Sequence, residues 1–267
     1  METSPVGYKV SDRVDPAHDA KVEADYRGAS TYPRFMEMLN EADRNFLMTR
    51  SVAKCFAKNQ VLYVQGDPSE SLFIILRGAV KVHYIQDNGG SLTTSYCREG
   101  MLVGAHGCTR WAGNHCWSAQ ALVDSRVLWI GREQLVELTE RSPHALRCVL
   151  SISEFKAEQL KKVIQILAET TVERRISMAL RHLGRLYGID HGDEVEIDGR
   201  FTHQEIAEMI GASRQSVTTL LVCLEKAGDI RREGRRLFIP SENSVPHAAL
   251  VGRGERRPSM ERMARFS

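Results

Sequence analysis

No stretch of this 267-residue chain approaches the ~20 consecutive apolar residues that a membrane-spanning helix requires, so no membrane partner is expected. The N-terminus, METSPVGYKV, lacks the basic-then-apolar pattern of a secretory leader, and a cytoplasmic location is the expectation. The six cysteines (Cys55, Cys97, Cys108, Cys116, Cys148 and Cys223) include no CxxC pair. In a reducing compartment such scattered cysteines are expected as free thiols that pack like small hydrophobes. There is no HExxH, no glycine-rich phosphate loop and no Ser/His/Asp set. The chain therefore reads as a non-enzyme, and a catalytic centre housed in its first half is the reading these absences disfavour. Nor is there a strong excess of one charge. Lys plus Arg number 36 against 34 Asp plus Glu, a net of +2, and residues 171–240 carry 11 of each sign. Net charge alone does not announce nucleic acid.

What is present falls into segments of different texture. Residues 1–33 are polar and aperiodic, expected as a flexible arm, and residues 35–50 place apolar residues at helical spacing. From about 52 to 131, short apolar or alternating runs (VLYV, LFIIL, AVKVHYI, SLTTSYC) are separated by turn signals. Among these, Asp87-Asn88-Gly89-Gly90 suits a hairpin because its residues tolerate positive φ. Such a pattern predicts a β-barrel or jelly roll, here over 34–141. Residues 142–168 hold no glycine, begin Ser142-Pro143 and carry Leu146, Val149, Leu160, Val163 and Leu167 at three-four spacing, interrupted by Ser153 and Lys156. A helix that long predicts a coiled-coil dimer seam over 142–169; the alternative is an amphipathic helix lying on its own barrel. Residues 241–267 are Arg-rich and aperiodic, expected as a disordered basic tail.

The densest signal is FTHQEIAEMIGASRQSVTTLLVCLEKAGDI, residues 201–230. Thr202 with Glu205 forms a capping box; Ile206, Ala207 and Ile210 give the first helix an inward face. Gly211 stands where a tight inter-helix turn needs positive φ, Ser213 caps the second helix, and Val217, Leu220, Leu221 and Leu224 are its buried stripe. These are the steric requirements of a helix-turn-helix. In that register Arg214, Gln215, Thr218 and Thr219 lie on the exposed start of the second helix, the end that enters a major groove. Arginine suits guanine O6 and N7, and glutamine suits adenine N6 and N7. Ser213, Ser216 and Thr218 are candidate phosphate donors. The run IRREGRRLFI then predicts a two-stranded wing turning at Glu233-Gly234, with Arg231 to Arg236, Arg235 foremost, beside the DNA backbone. The expected fold is α+β: an N-terminal barrel, a long dimerisation helix and a winged helix-turn-helix over 170–240. One such head reads only a few base pairs, so a homodimer on a two-fold double-stranded operator is the expected partner arrangement.

Barrel, long helix and winged helix-turn-helix in that order resemble the Crp/Fnr family of bacterial regulators over residues 40–240. The most specific match is TxxEIAxxxGxSRQxVxxxLxxLexxGxI from Thr202 to Ile230. Gly66, Gly78, Gly89 or Gly90, Gly100 and the segment DSRVLWI carry the match in the barrel. The resemblance implies a barrel whose small-molecule or gas effector state passes through the dimer helix to the DNA heads. It also implies RNA polymerase as a partner and an activator role. Cyclic-AMP-binding members carry Gly-Glu-Leu and then Arg-Ser-Ala or Arg-Thr-Ala about ten residues later. Here Gly104-Ala105-His106 and His115-Cys116-Trp117 stand at those places, and Leu160-Lys161 at the helix pair that contacts adenine. Without the arginine, a cyclic phosphate loses a charge-assisted partner worth about 1.5–3 kcal/mol, so cyclic AMP is not the expected effector. Cys55 comes too late in the chain for the N-terminal iron-sulfur cluster of another branch.

The effector itself stays open on the sequence. His106 falls at the cassette histidine of the haem-containing, carbon monoxide-sensing CooA branch, with Gly104 where that branch has cysteine. The resemblance makes His106 a candidate haem ligand. The N-terminal proline ligand of that branch has no counterpart, since Pro5 is internal. The stretch HGCTRWAGNHCW could equally line a pocket for a small aromatic, respond through its thiols, or bring His106, Cys108, His115 and Cys116 to a zinc ion. The candidate pocket residues are His106, His115, Cys116, Trp117 and Leu160.

Overall fold

In the computed structural model, which describes residues 32–104, 113–197, 201–234 and 236–241, the turn residues delimit eight short strands packed between helices. The region expected to be helical over 35–50 divides into α1 (Phe35–Met38) and α2 (Glu41–Arg50). Asn40 causes the break: its extended backbone and side chain cap α2, accepting from the Asp43 amide at 2.8 Å. The strands are β1 (Val52–Phe56), β2 (Val61–Tyr63), β3 (Ser71–Arg77), β4 (Ala79–Ile85), β5 (Ser91–Arg98), β6 (Leu102–Gly104), β7 (Ser118–Ala121) and β8 (Ser125–Gly131). They form two antiparallel four-stranded sheets ordered β1-β8-β3-β6 and β2-β7-β4-β5, the expected jelly roll. The tight β3–β4 turn requires Gly78: a Cβ there would lie 2.3 Å from Ser125 Oγ, and its φ is +97°.

The run Leu72-Phe73-Ile74-Ile75 is buried throughout because β3 has two apolar neighbours. Phe73 and Ile75 point into the barrel, while Leu72 and Ile74 point to a second core beneath the helices. That second core continues through Leu128 and Ile130 to Phe35, Leu47 and two further helices, α3 (Arg132–Arg141) and the start of α4 (Pro143–Ala168). Each such fully buried aliphatic side chain contributes ~1.5–3 kcal/mol. Strand β3 is thus apolar on both faces, as buried strands are.

Helix α4 starts as the sequence predicts. Ser142 Oγ accepts from the Ala145 amide at 3.1 Å, Pro143 occupies the first turn, and Ser142 Oγ donates to Asp43 at 2.6 Å. Its 26 residues span about 39 Å. The three-four stripe expected along it resolves into two. Val149, Ile152, Val163 and Ile166 are buried within the chain, whereas Leu146, Leu150, Leu160 and Ile164 are exposed. The helix lies on its own barrel and also shows a second apolar face.

After α4 come α5 (Val172–Tyr187), β9 (Gly188–Asp190), β10 (Glu194–Ile197), α6 (His203–Ile210), α7 (Arg214–Ala227), β11 (Arg231–Glu233) and β12 (Arg236–Pro240). The last four strands form one antiparallel sheet, β11-β12-β10-β9. This head rests directly on the barrel, and one apolar core runs from Val80, Tyr96 and Cys97 to Ile176, Leu183, Tyr187, Ile206 and Met209. Polar contacts reinforce the junction. Lys81 Nζ meets Glu208 Oε2 at 2.8 Å, Tyr96 Oη donates to the Glu205 carbonyl at 2.8 Å, and Tyr187 Oη donates to the Tyr96 carbonyl. Among the described residues no helix is long and apolar enough to cross a membrane.

Candidate nucleic-acid interface and effector cavity

The helix-turn-helix is assembled by its local chemistry. Thr202 Oγ1 accepts from the Glu205 amide at 3.1 Å and the Thr202 amide donates to the Glu205 carboxylate at 2.6 Å, closing the capping box. Gly211 takes φ +61°, ψ +43°. A Cβ at this glycine would make only an ordinary 3.5 Å contact with Leu167, so it is the left-handed backbone that asks for glycine. Ser213 Oγ accepts from the Ser216 amide at 3.1 Å and starts α7. Val217 and Leu221 are buried against α6, while Arg214, Gln215, Thr218 and Thr219 are exposed at the N-terminal end. Arg214 and Gln215 make no side-chain hydrogen bond among the described residues. Both are left facing solvent at the end that reads bases.

Side chains expected at the DNA backbone also have partners within the chain. Thr218 Oγ1 donates to the Arg214 carbonyl at 2.9 Å and lies 2.8 Å from His203 Nδ1. Through these two contacts Thr218 ties α7 to α6. Ser213 and Ser216 hydroxyls are 2.8 Å apart, so only one of the two protons is spent between them. The wing is also less bare than the arginine run suggests. Arg231 forks onto Glu194 at 2.6–3.1 Å and stacks 3.8 Å over the Phe238 ring; Arg236 Nε reaches Glu196 at 2.6 Å; Arg232 Nε reaches Glu225 at 2.8 Å. Hydrogen bonds from these guanidinium groups hold the Glu194, Glu196 and Glu225 carboxyls below their usual range. The carboxylates come from β10 and α7, which the sheet register places beside the wing: Glu196 pairs with Phe238 across the ladder. Arg235 lies outside the described residues.

A cavity of about 130 Å³ lies between β4, β5, α4 and the head. Strand β5 supplies Thr93 through Cys97; helix α4 supplies Phe155, Lys156, Gln159 and Leu160; the head supplies His182, Leu183, Leu186, Tyr187 and Met209. Trp117 and Leu160 line it as expected. Two other candidates, His115 and Cys116, are not in the lining. His115 is buried behind the wall, its ring stacked 3.8 Å from Tyr63 and its amide donating to the Asp67 carbonyl at 2.8 Å, and burial lowers its pKa. Cys116 turns to solvent. His106 and Cys108, and with them the zinc set they would complete, lie outside the described residues. Among the described residues no group of three metal-binding side chains converges.

The residues the sequence did not single out are Lys156 and Gln159, one helical turn apart, and His182. Burial lowers the Lys156 pKa to about 8 and that of His182 to about 4, so His182 is neutral at physiological pH. Burial raises the Cys97 thiol above its usual value, which makes it a poor nucleophile. The signal for Lys156 was present: it is the charged residue that interrupts the apolar stripe of α4.

Comparisons with known proteins agree with this layout. The cyclic nucleotide-binding domain family matches residues 53–142, and the Crp-like helix-turn-helix domain family matches residues 174–244. The chain is 28% identical over 201 residues to a global nitrogen regulator of Nostoc sp., covering 75% of this chain and 87% of that protein. It is 27% identical over 199 residues to the fumarate and nitrate reduction regulatory protein of Salmonella typhimurium, covering 74% and 78%. In three dimensions it is similar to the c-di-GMP responsive regulator CLP of Xanthomonas campestris, with TM-score 0.65 and 19% identity over 76% of this chain and all of that one. It is also similar to a CooA mutant from Carboxydothermus hydrogenoformans, with TM-score 0.67 and 18% identity, covering 81% and 94%.

Proposed function

The chain belongs to the Crp/Fnr family of DNA-binding transcriptional regulators with an effector-binding domain, and from that premise we propose that it works as an effector-gated homodimer on a two-fold operator. Base reading falls to Arg214 and Gln215, with Thr219 on the same exposed face and Thr202, Ser213 and Ser216 at the helix starts toward phosphate. The observation that carries the proposal is the pairing of two unpartnered features. One is an exposed, capped recognition helix, and the other is the seam Leu146, Leu150, Ser153, Ala157, Leu160 and Ile164, exposed except for the half-buried Ser153, whose steps of four and three residues are those of a coiled coil. A second copy across that seam presents two heads to one duplex. The expected output is promoter activation through RNA polymerase.

The cavity touches barrel, dimer helix and head together, which supports it as the effector site: a ligand there contacts bodies whose relative placement controls DNA reading. Leu160 lines the cavity and also belongs to the seam, so occupancy and dimer packing share a side chain. Haem does not fit it. About 130 Å³ is the scale of a cavity that holds a single aromatic ring, well short of a four-ring macrocycle. A compact organic effector is the reading we adopt. It is tested on the purified protein by absorption spectroscopy and DNase footprinting: no Soret band and a protected region symmetric about a two-fold centre are expected. A Soret band, or an asymmetric footprint, would overturn it.

A further inference from the structure

Lys156 is the unusual group in the cavity. Its side chain is half-buried and lines the cavity together with Tyr96, Cys97, Phe155, Leu183 and Tyr187, and it makes no hydrogen bond or ion pair among the described residues. The ionisable group that influences it is the buried thiol of Cys97, which is neutral. Gln159, on the same face one turn along, likewise makes no side-chain hydrogen bond among the described residues. A partly desolvated cation beside an amide in a largely apolar chamber carries a desolvation cost that no partner among the described residues offsets. The nearby carboxylates are already committed: Glu208 is bound to Lys81 and Thr93. A bound anion would supply that compensation.

Accepting the preceding reading that this cavity is the effector site, we infer that the effector is a small organic monoanion, a carboxylate on a flat apolar body of about one ring. The Lys156 ammonium holds the carboxylate with the Gln159 amide beside it, and Phe155, Leu183, Tyr187 and Trp117 enclose the apolar part. The charge count sets the class. Among the described lining residues Lys156 is the one cation, because burial keeps His182 neutral there. A dianion would leave a second charge uncompensated in the dry interior, and a neutral ligand would leave the ammonium as costly as before. The volume sets the size.

The test uses the full chain and a carboxylate panel (benzoate, phenylacetate and cyclohexanecarboxylate), with benzamide as the neutral isostere of benzoate. Affinity is read by calorimetry and thermal shift on wild type, Lys156→Met and Lys156→Arg. At least one carboxylate is expected to raise the wild-type Tm, and benzoate is expected to bind at least tenfold more tightly than benzamide. Lys156→Met should melt no lower than wild type without ligand, since it removes a half-buried charge with no partner among the described residues, and should lose the anion preference, while Lys156→Arg should keep it. A merely structural lysine would instead lower the ligand-free Tm when replaced. The inference is overturned if no panel member stabilises wild type, if benzamide matches benzoate, or if Lys156→Met binds carboxylates as wild type does. Operator binding is measured on the same wild-type samples. Intact DNA binding with no carboxylate response sinks the effector class alone, whereas loss of specific DNA binding sinks the regulator reading on which it rests.

Discussion

Lys156 and His182 face the same cavity from different elements, and burial lowers the pKa of both. Lys156 goes from 10.5 in the unfolded chain to about 8. Below pH 8 the protein therefore carries a cost on the order of 3 kcal/mol for keeping the charge. That cost is relieved between about 8 and 10.5, where the unfolded state binds the extra proton and stability rises with pH. His182 falls from 6.5 to about 4, through burial first and then the charges of Arg185 and Lys162. Here too the unfolded state holds the extra proton, so its contribution is complete above 6.5 and is lost as pH falls toward 4. His182→Gln should flatten the fall in Tm between pH 6.5 and 4 by about one proton's worth of slope, measured by calorimetry; an unchanged slope would assign the acid sensitivity elsewhere. Some of this scale was legible in the sequence and some was not. Arg214 and Gln215 followed from counting a helical register from Ser213, a local rule. His115 looked like a pocket ligand because its neighbours in sequence are His, Cys and Trp, but its ring stacks on Tyr63, a contact fixed only by the fold. The glutamates that pair with the wing arginines likewise arrive from β10 and α7, although the balanced charge of residues 171–240 hinted that partners existed.

Elements whose signals are local, such as the capping box, the Gly211 turn, the Ser142-Pro143 start and the Glu233-Gly234 wing turn, stand where the sequence put them. Helix α4 was legible in extent and only partly in role. A helix with apolar residues on two faces has no single apolar stripe, so Val149 and Val163, which are buried within the chain, merged with Leu146 and Leu160, which are exposed. The structure separates them and makes the outward set testable. Ile164 is 65% exposed at the end of the seam and touches neither cavity nor core. Ile164→Lys places like charges opposite one another across a two-fold seam, and sedimentation should show at least a tenfold weaker dimer with an unchanged circular dichroism spectrum. A dimer as tight as wild type would remove this face of α4 from the interface.

At the scale of the whole molecule, a continuous core joins barrel and head, and the cavity sits where barrel, helix α4 and head meet. The partly buried Lys81–Glu208 pair, with both side chains 12% exposed, holds α6 to the β4–β5 sheet, so a ligand that moves β5 or α4 acts on the helix that supports the recognition helix. Sequence order alone gave the succession of barrel, long helix and head, but the docking of head on barrel depends on Tyr96, Lys81 and Tyr187 meeting partners roughly a hundred residues away. The central claim is that this assembly reads DNA as a two-fold dimer through Arg214 and Gln215. Its most direct test is selection of bound duplexes from a randomised pool by wild type and by Arg214→Ala. Wild type should return an inverted repeat with half-site centres about 10 base pairs apart. Arg214→Ala should lose preference at one position in each half-site, at a cost of about 1–3 kcal/mol, with the rest of the motif retained. A motif without two-fold symmetry, or one that Arg214→Ala leaves untouched, would contradict the account.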